Sequence, residues 1–142
     1  MDKNNIAKAS ISINASNEKV WKALVDPKAI KHYMFGTNVV SDWQEGSSMV
    51  WKGEWQGKSY EDKGKILRLT PGRTLRYSHF SPLSGVSDKP ENYHTVTIEL
   101  VGNGNQTDVT LTQDNNATDE ERAESEKNWG MMLSELKKFL EQ

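Results

Sequence analysis

Three histidines, His32, His79 and His94, are the side chains of this sequence that could exchange a proton near neutral pH. Tyr77 precedes His79 by two positions in TLRYSHF, so the two would share a strand face, and His94 opens the run HTVTIELV. Two strand-borne histidines fall short of a zinc site, which takes three or four ligands. There is no cysteine, hence no thiolate nucleophile, disulfide or cysteine metal site. No H-E-x-x-H, G-x-S-x-G or Walker pattern occurs. The histidines therefore read as satisfied structural residues or as polar groups that orient a ligand. No catalytic residue, metal or cofactor is expected. The segment SMVWKGEW puts Trp51 and Trp55 on one side of a strand, with Gly53 between them leaving a gap where a side chain would sit. Large aromatics at that spacing either pack as core or wall a cavity. Glu54, Glu61 and Asp62 alternate with lysines and read as an exposed face, and DEERAESE reads as the solvated start of a helix.

The elements that must hold these residues follow from hydrophobic period and turn chemistry. IAKASISIN alternates with Ala9, Ile11 and Ile13 on one face, a half-buried strand. Ser16 suits the N-cap of a short helix, NEKVWKALV, which Asp26-Pro27 ends. PKAIKHYMF is a second short helix, ended by Gly36. Strand signals then follow in TNVVSDW, SMVWKGEW, YEDKGKILRL, TLRYSHF, YHTVTIELV and VTLTQD. Short turns at QEGS, QGKS, TPGR and GNGNQ join most of them, and a longer loop spans Ser81 to Asn92. Thr118 and Glu121 can form a capping box ahead of a helix near 118–140, where Trp129, Met132, Leu133, Leu136 and Leu140 recur at spacings of three and four. The expected fold is α+β: a curved antiparallel sheet of about six to seven strands wrapped around one long C-terminal helix, with two short helices after the first strand.

Strand parity gives the inward candidates: Met49, Trp51, Gly53 and Trp55, then Leu75, Tyr77 and His79, then His94, Val96, Ile98 and Leu100, then Val109, Leu111 and Gln113. A chain of 142 residues suits a single domain spanning 1–142. Its net charge is −2 and it carries no basic block, which argues against nucleic-acid binding. No apolar run resembles a signal peptide or a membrane span, so membrane insertion is not expected and a cytoplasmic location is.

VWKALVDPKAI after an alternating first strand, Gly46 before SMVW, KGKILRLTPGRTLRYS and the closing NWGMMLSELKKFLE resemble the homologues of the activator of Hsp90 ATPase. That family lies in the START-like, helix-grip superfamily, with lipid-transfer domains, plant pathogenesis-related proteins of class ten and polyketide cyclases. Where relatives often end the second short helix with tryptophan, this chain has His32-Tyr33-Met34-Phe35, which changes one rim of a cavity. The resemblance implies a pocket between sheet and C-terminal helix for an apolar or amphipathic small molecule, in a superfamily that spans carriers, enzymes and sensors; the leading expectation is a non-enzymatic binder of a small apolar, aromatic or lipid-like ligand. Its candidate lining is Trp51, Trp55, Tyr77, His79, His94, Val96, Ile98, Leu111, Gln113, Trp129, Met132, Leu133 and Leu136. The alternatives are a polyketide cyclase-like or hydrolase-like enzyme using His79, His94 and Tyr77, and a chaperone-associated interaction module. The eukaryotic co-chaperone engages Hsp90 through a separate N-terminal domain, for which these 142 residues leave no room, so strong Hsp90 activation is not expected.

Overall fold

The computed structural model describes residues 5–55 and 57–141, Trp55 by its backbone only. Strand β1 (Ala7–Ile13) buries Ala7 and Ile13 and exposes Lys8, Ser10 and Ser12, as alternation requires. Helix α1 (Asn17–Leu24) starts at Ser16, whose hydroxyl accepts the Lys19 amide, and buries Val20, Ala23 and Leu24. Asp26 then has two roles: it lies before a proline, where helix is disfavoured, and its carboxylate caps α2 (Pro27–Tyr33) by accepting the Lys28 amide at 3.0 Å. Helix α2 stops at Tyr33, two residues earlier than the sequence suggests. Phe35 and Gly36 both take positive φ (54° and 90°), and the Gly36 amide donates back to the Lys31 carbonyl at 2.9 Å.

Six more strands follow: β2 (Asn38–Ser41), β3 (Ser48–Trp55), β4 (Lys58–Thr70), β5 (Thr74–His79), β6 (His94–Asn103) and β7 (Gln106–Gln113). They form one antiparallel seven-stranded sheet in the order β1-β7-β6-β5-β4-β3-β2. Register places Val39 opposite Trp51, Trp51 opposite Asp62, Leu75 opposite Ile98, and Ile98 opposite Leu111, so one face collects the apolar set. The 13-residue β4 bends. At Gly64 the Ser78 carbonyl occupies the space a Cβ would need, and the β4–β5 pairing shifts register between Ile66 and Arg68.

Helix α3 (Asp119–Leu140) is 22 residues, about 33 Å. The Thr118 hydroxyl accepts the Glu121 amide at 3.0 Å, but the Glu121 carboxylate reaches past Thr118 to the Ala117 amide at 2.8 Å, a capping box displaced by one residue. The helix packs on β1 and against α1 and α2. Its residues Met132, Leu133, Leu136 and Leu140 join a core that includes Ile13, Val20, Leu75, Val96, Val109 and Leu111. This is the helix-grip arrangement: a curved sheet holding one long helix. No helix of the described residues is long and apolar enough to cross a membrane.

Candidate functional site

Helix α3 closes on the sheet along its C-terminal half. The N-terminal half leaves a cavity of about 630 Å³ between itself and β3–β5, within the size range of small-molecule sites. Trp51 on β3 and Tyr77 on β5 form the floor, with ring centroids 5.2 Å apart. Tyr60 and Asp62 enter from β4, and Glu124, Asn128, Trp129 and Met131 from α3. Met34, Phe35 and Thr37 line it from the turn after α2, and Ser81 and Leu83 from the loop after β5. A side recess of about 210 Å³ shares much of this wall and adds Glu54 and Met132. Phe35, Leu83 and Met131, on three separate elements, are 56%, 63% and 46% exposed, so the mouth is rimmed by apolar side chains in contact with solvent.

The polar end of the cavity is a histidine–aspartate pair. His79 Nε2 lies 2.9 Å from Asp62 Oδ2, and the imidazole meets the Trp51 ring edge-on at 5.1 Å. An ionised carboxylate only accepts, so Nε2–H is the donor. Asp62 Oδ1 is buried, and no described residue donates to it. Burial raises the Tyr77 hydroxyl far above the ordinary tyrosine pKa, so it stays protonated and can donate. Trp129 is fixed from behind: its indole N–H donates to Gln113 Oε1 at 2.8 Å, while Gln113 Nε2 donates to Asn116 Oδ1 at 3.2 Å and Ser125 Oγ at 3.3 Å.

The residues expected from the sequence divide accordingly. Trp51, Tyr77, His79 and Trp129 line the main cavity, and Met132 lines the side recess. Val96, Leu111, Leu133 and Leu136 are instead sealed in the core, because strand parity and helical spacing report which face points inward and not whether helix and sheet touch there. Ile98 lies beneath Trp51 and Tyr77 in the packed interior. Gln113 faces inward but is consumed by the network behind Trp129. His94 donates from Nδ1 to the Asp114 carbonyl at 2.8 Å and is not part of the wall. His32 stacks on Phe139 at 5.4 Å, away from the mouth. The side chain of Trp55 lies outside the described residues. The gap at Gly53 is no ligand space, since the Tyr60 ring covers it and the Tyr60 hydroxyl is hydrogen-bonded to Thr37 Oγ1 at 2.6 Å.

Asp62 corrects the sequence reading. Glu61 and Asp62 cannot both point outward from one strand, and parity with Tyr60, Gly64 and Ile66 already places Asp62 inside. Phe35, Thr37 and Leu83 carry no periodic signal, because they sit in a turn and a loop whose paths depend on tertiary packing. Among the described residues, no group of three or more His, Cys, Asp or Glu could hold a metal ion.

Residues 14–141 match the family described as activator of Hsp90 ATPase homolog 1-like protein. Among solved structures, ChR145 from Cytophaga hutchinsonii is 60% identical with a TM-score of 0.86, over 99% of this chain and 97% of that one. The Aha1 dimer from Colwellia psychrerythraea is 26% identical with a TM-score of 0.73, over 96% of both chains. CalU16 from Micromonospora echinospora is 25% identical with a TM-score of 0.70, over 92% of this chain and 73% of that one. No curated protein matches the chain.

Proposed function

The chain belongs to the activator of Hsp90 ATPase homolog 1-like family, and on that premise we propose that it is a non-enzymatic binder of a small apolar or aromatic, lipid-like molecule. The ligand sits in the cavity between sheet and α3. One observation carries this reading: a cavity of about 630 Å³ with an aromatic floor and a mouth rimmed by exposed Phe35, Leu83 and Met131. Exposed apolar residues are ordinary when scattered, but these three come from separate elements and converge on one open space. Trp51, Tyr77 and Trp129 supply apolar contact area at roughly 25 cal/mol per Å² buried, less the cost of immobilising the ligand. His79 and the Tyr77 hydroxyl supply the polar contacts that orient it. We take the protein to act as a single cytoplasmic domain without a cofactor.

Native mass spectrometry of gently purified protein tests this directly. A co-purified small molecule, released by denaturation and lost in Trp51→Ala, is the expected result. A ligand retained equally by Trp51→Ala would place the site elsewhere.

A second reading, acid–base chemistry on the bound molecule, has one observation in its favour: the His79–Asp62 pair opens into the same cavity. It requires that the co-purified molecule be converted on incubation with wild type and left intact by His79→Ala.

A further inference from the structure

The charge of the cavity wall restricts what it can hold. The described lining of the main cavity includes two carboxylates, Asp62 and Glu124, and the side recess adds a third, Glu54. No lysine or arginine is among the described residues lining either space. The remaining wall is rich in aromatic rings: Trp51, Tyr60, Tyr77, Trp129, and Phe35 at the mouth. Ring faces carry negative quadrupole density and attract cations. The carboxylate of Asp62 is asymmetric. Its Oδ2 takes the His79 N–H, while Oδ1 is buried and no described residue donates to it. A buried carboxylate oxygen left without a donor is costly, and a ligand N–H would remove that cost.

We infer that the ligand of this cavity is an amphipathic amine: a primary or secondary ammonium that pairs with the Asp62 carboxylate, attached to an apolar body lying against Trp51, Tyr77 and Trp129. The ammonium meets carboxylates and ring faces, whereas a carboxylate or phosphate ligand would meet like charge with no lysine or arginine among the described lining residues to receive it. A donor is needed at Oδ1, so a quaternary ammonium would use the rings but leave the oxygen unsatisfied, and an alcohol could donate there but would bring no charge to meet the carboxylates. His79 does not compete for that place, because its Nε2–H is already committed to Oδ2. This inference rests on the reading that the cavity binds a small molecule, and the test separates the two.

The probes are naphthylmethylammonium, naphthylmethanol and naphthoate, which share one ring system and differ in charge. Affinities come from calorimetry, and the indole N–H signals of Trp51 and Trp129 in nitrogen–proton correlation spectra report the site. The ammonium is expected to bind roughly tenfold tighter than the alcohol, with naphthoate weakest. Asp62→Asn, nearly the same shape, should abolish the ammonium's advantage over the alcohol, and an advantage kept in full overturns the inference. If Asp62→Asn does not fold, Glu124→Gln, at an exposed position of α3 in the cavity wall, carries the test: the ammonium-to-alcohol ratio should fall, and an unchanged ratio overturns the inference. Equal binding of all three probes, or preference for naphthoate, overturns the cation assignment and leaves the binding function standing. Failure of every probe to move either indole signal overturns both.

Discussion

The two halves of α3 face the same side of one sheet and end in opposite states. From Met132 to Leu140 the helix lies on β1 and buries Leu133 and Leu136 completely among Ile13, Val109 and Leu111. From Glu124 to Met131 it stands over β3–β5 across an open space floored by Trp51 and Tyr77. Both halves oppose inward-facing apolar side chains, so hydrophobicity does not distinguish them. Curvature does. The bend of β4, where Gly64 lets the Ser78 carbonyl approach, helps curve this end of the sheet, and flat rings on diverging walls do not interdigitate as branched aliphatics do. The cavity therefore comes from the shape of the sheet rather than from a missing side chain, since Tyr60 covers the gap at Gly53.

The sharpest way to break this comparison is to truncate each half in turn. Leu136→Ala should cost about 2–5 kcal/mol in denaturant unfolding, because the residue is fully buried and its neighbours cannot collapse into the space. Met131→Ala, five residues earlier on the same helix but 46% exposed, should change stability by no more than about 0.5 kcal/mol. Equal losses would mean that the N-terminal half is packed as tightly as the C-terminal half. A smaller effect is expected at the junction. Gln113→Leu strands the half-buried indole N–H of Trp129 and should cost about 1 kcal/mol. It should also broaden the Trp129 indole signal, a readout that simple loss of packing elsewhere would not produce.

The closed half was legible in the sequence and the open half only in part. Alternation in β1, β6 and β7 and the three-and-four spacing of Leu133, Leu136 and Leu140 report periodic burial, and periodic burial is what seals that half. Parity also brought Trp51, Tyr77 and His79 to the correct face. It could not tell a cavity wall from core, so Val96 and Leu111 entered the candidate lining with residues that do line it. Asp62 was missed because interleaved lysines suggested a solvated face, although its parity argued otherwise. Phe35 and Leu83 owe their positions to a left-handed turn and a long loop, for which no local period exists.

Phe35 offers a test in which stability and binding move in opposite directions. It is a bulky residue at φ 54°, a conformation that costs a side chain with a Cβ about 1–2 kcal/mol and that asparagine tolerates better. It is also more than half exposed at the mouth. Phe35→Asn should raise stability by about 1 kcal/mol while weakening retention of the cavity ligand. A variant that is less stable would mean that Phe35 packs onto the fold, and one that retains ligand unchanged would remove it from the mouth.

The smallest expected effect belongs to the far end of the closed half, where α3 is tied to the end of β1. The Asn14 amide donates to Glu141 Oε2 at 2.8 Å, and Lys137 Nζ reaches both that carboxylate at 2.6 Å and the Ser12 carbonyl at 2.9 Å. The Asn14 hydrogen bond, and after it Lys137, lowers the Glu141 pKa below its ordinary 4.5. A carboxylate whose folded pKa is depressed stabilises the fold fully above its unfolded value, and that contribution is lost as pH falls through the folded one. The tie should therefore hold at neutral pH and release only below pH 4.5. Since the group is solvent-exposed, the change should be local and weakened by salt rather than a global unfolding. Following the Asn14 amide proton shift against pH by NMR should give a midpoint under 4.5 that Lys137→Ala moves upward but not all the way, because the backbone hydrogen bond remains. A midpoint at or above 4.5 in the wild-type protein would show that Glu141 does not hold the helix end to β1, and that burial of Leu136 and Leu140 closes this half alone.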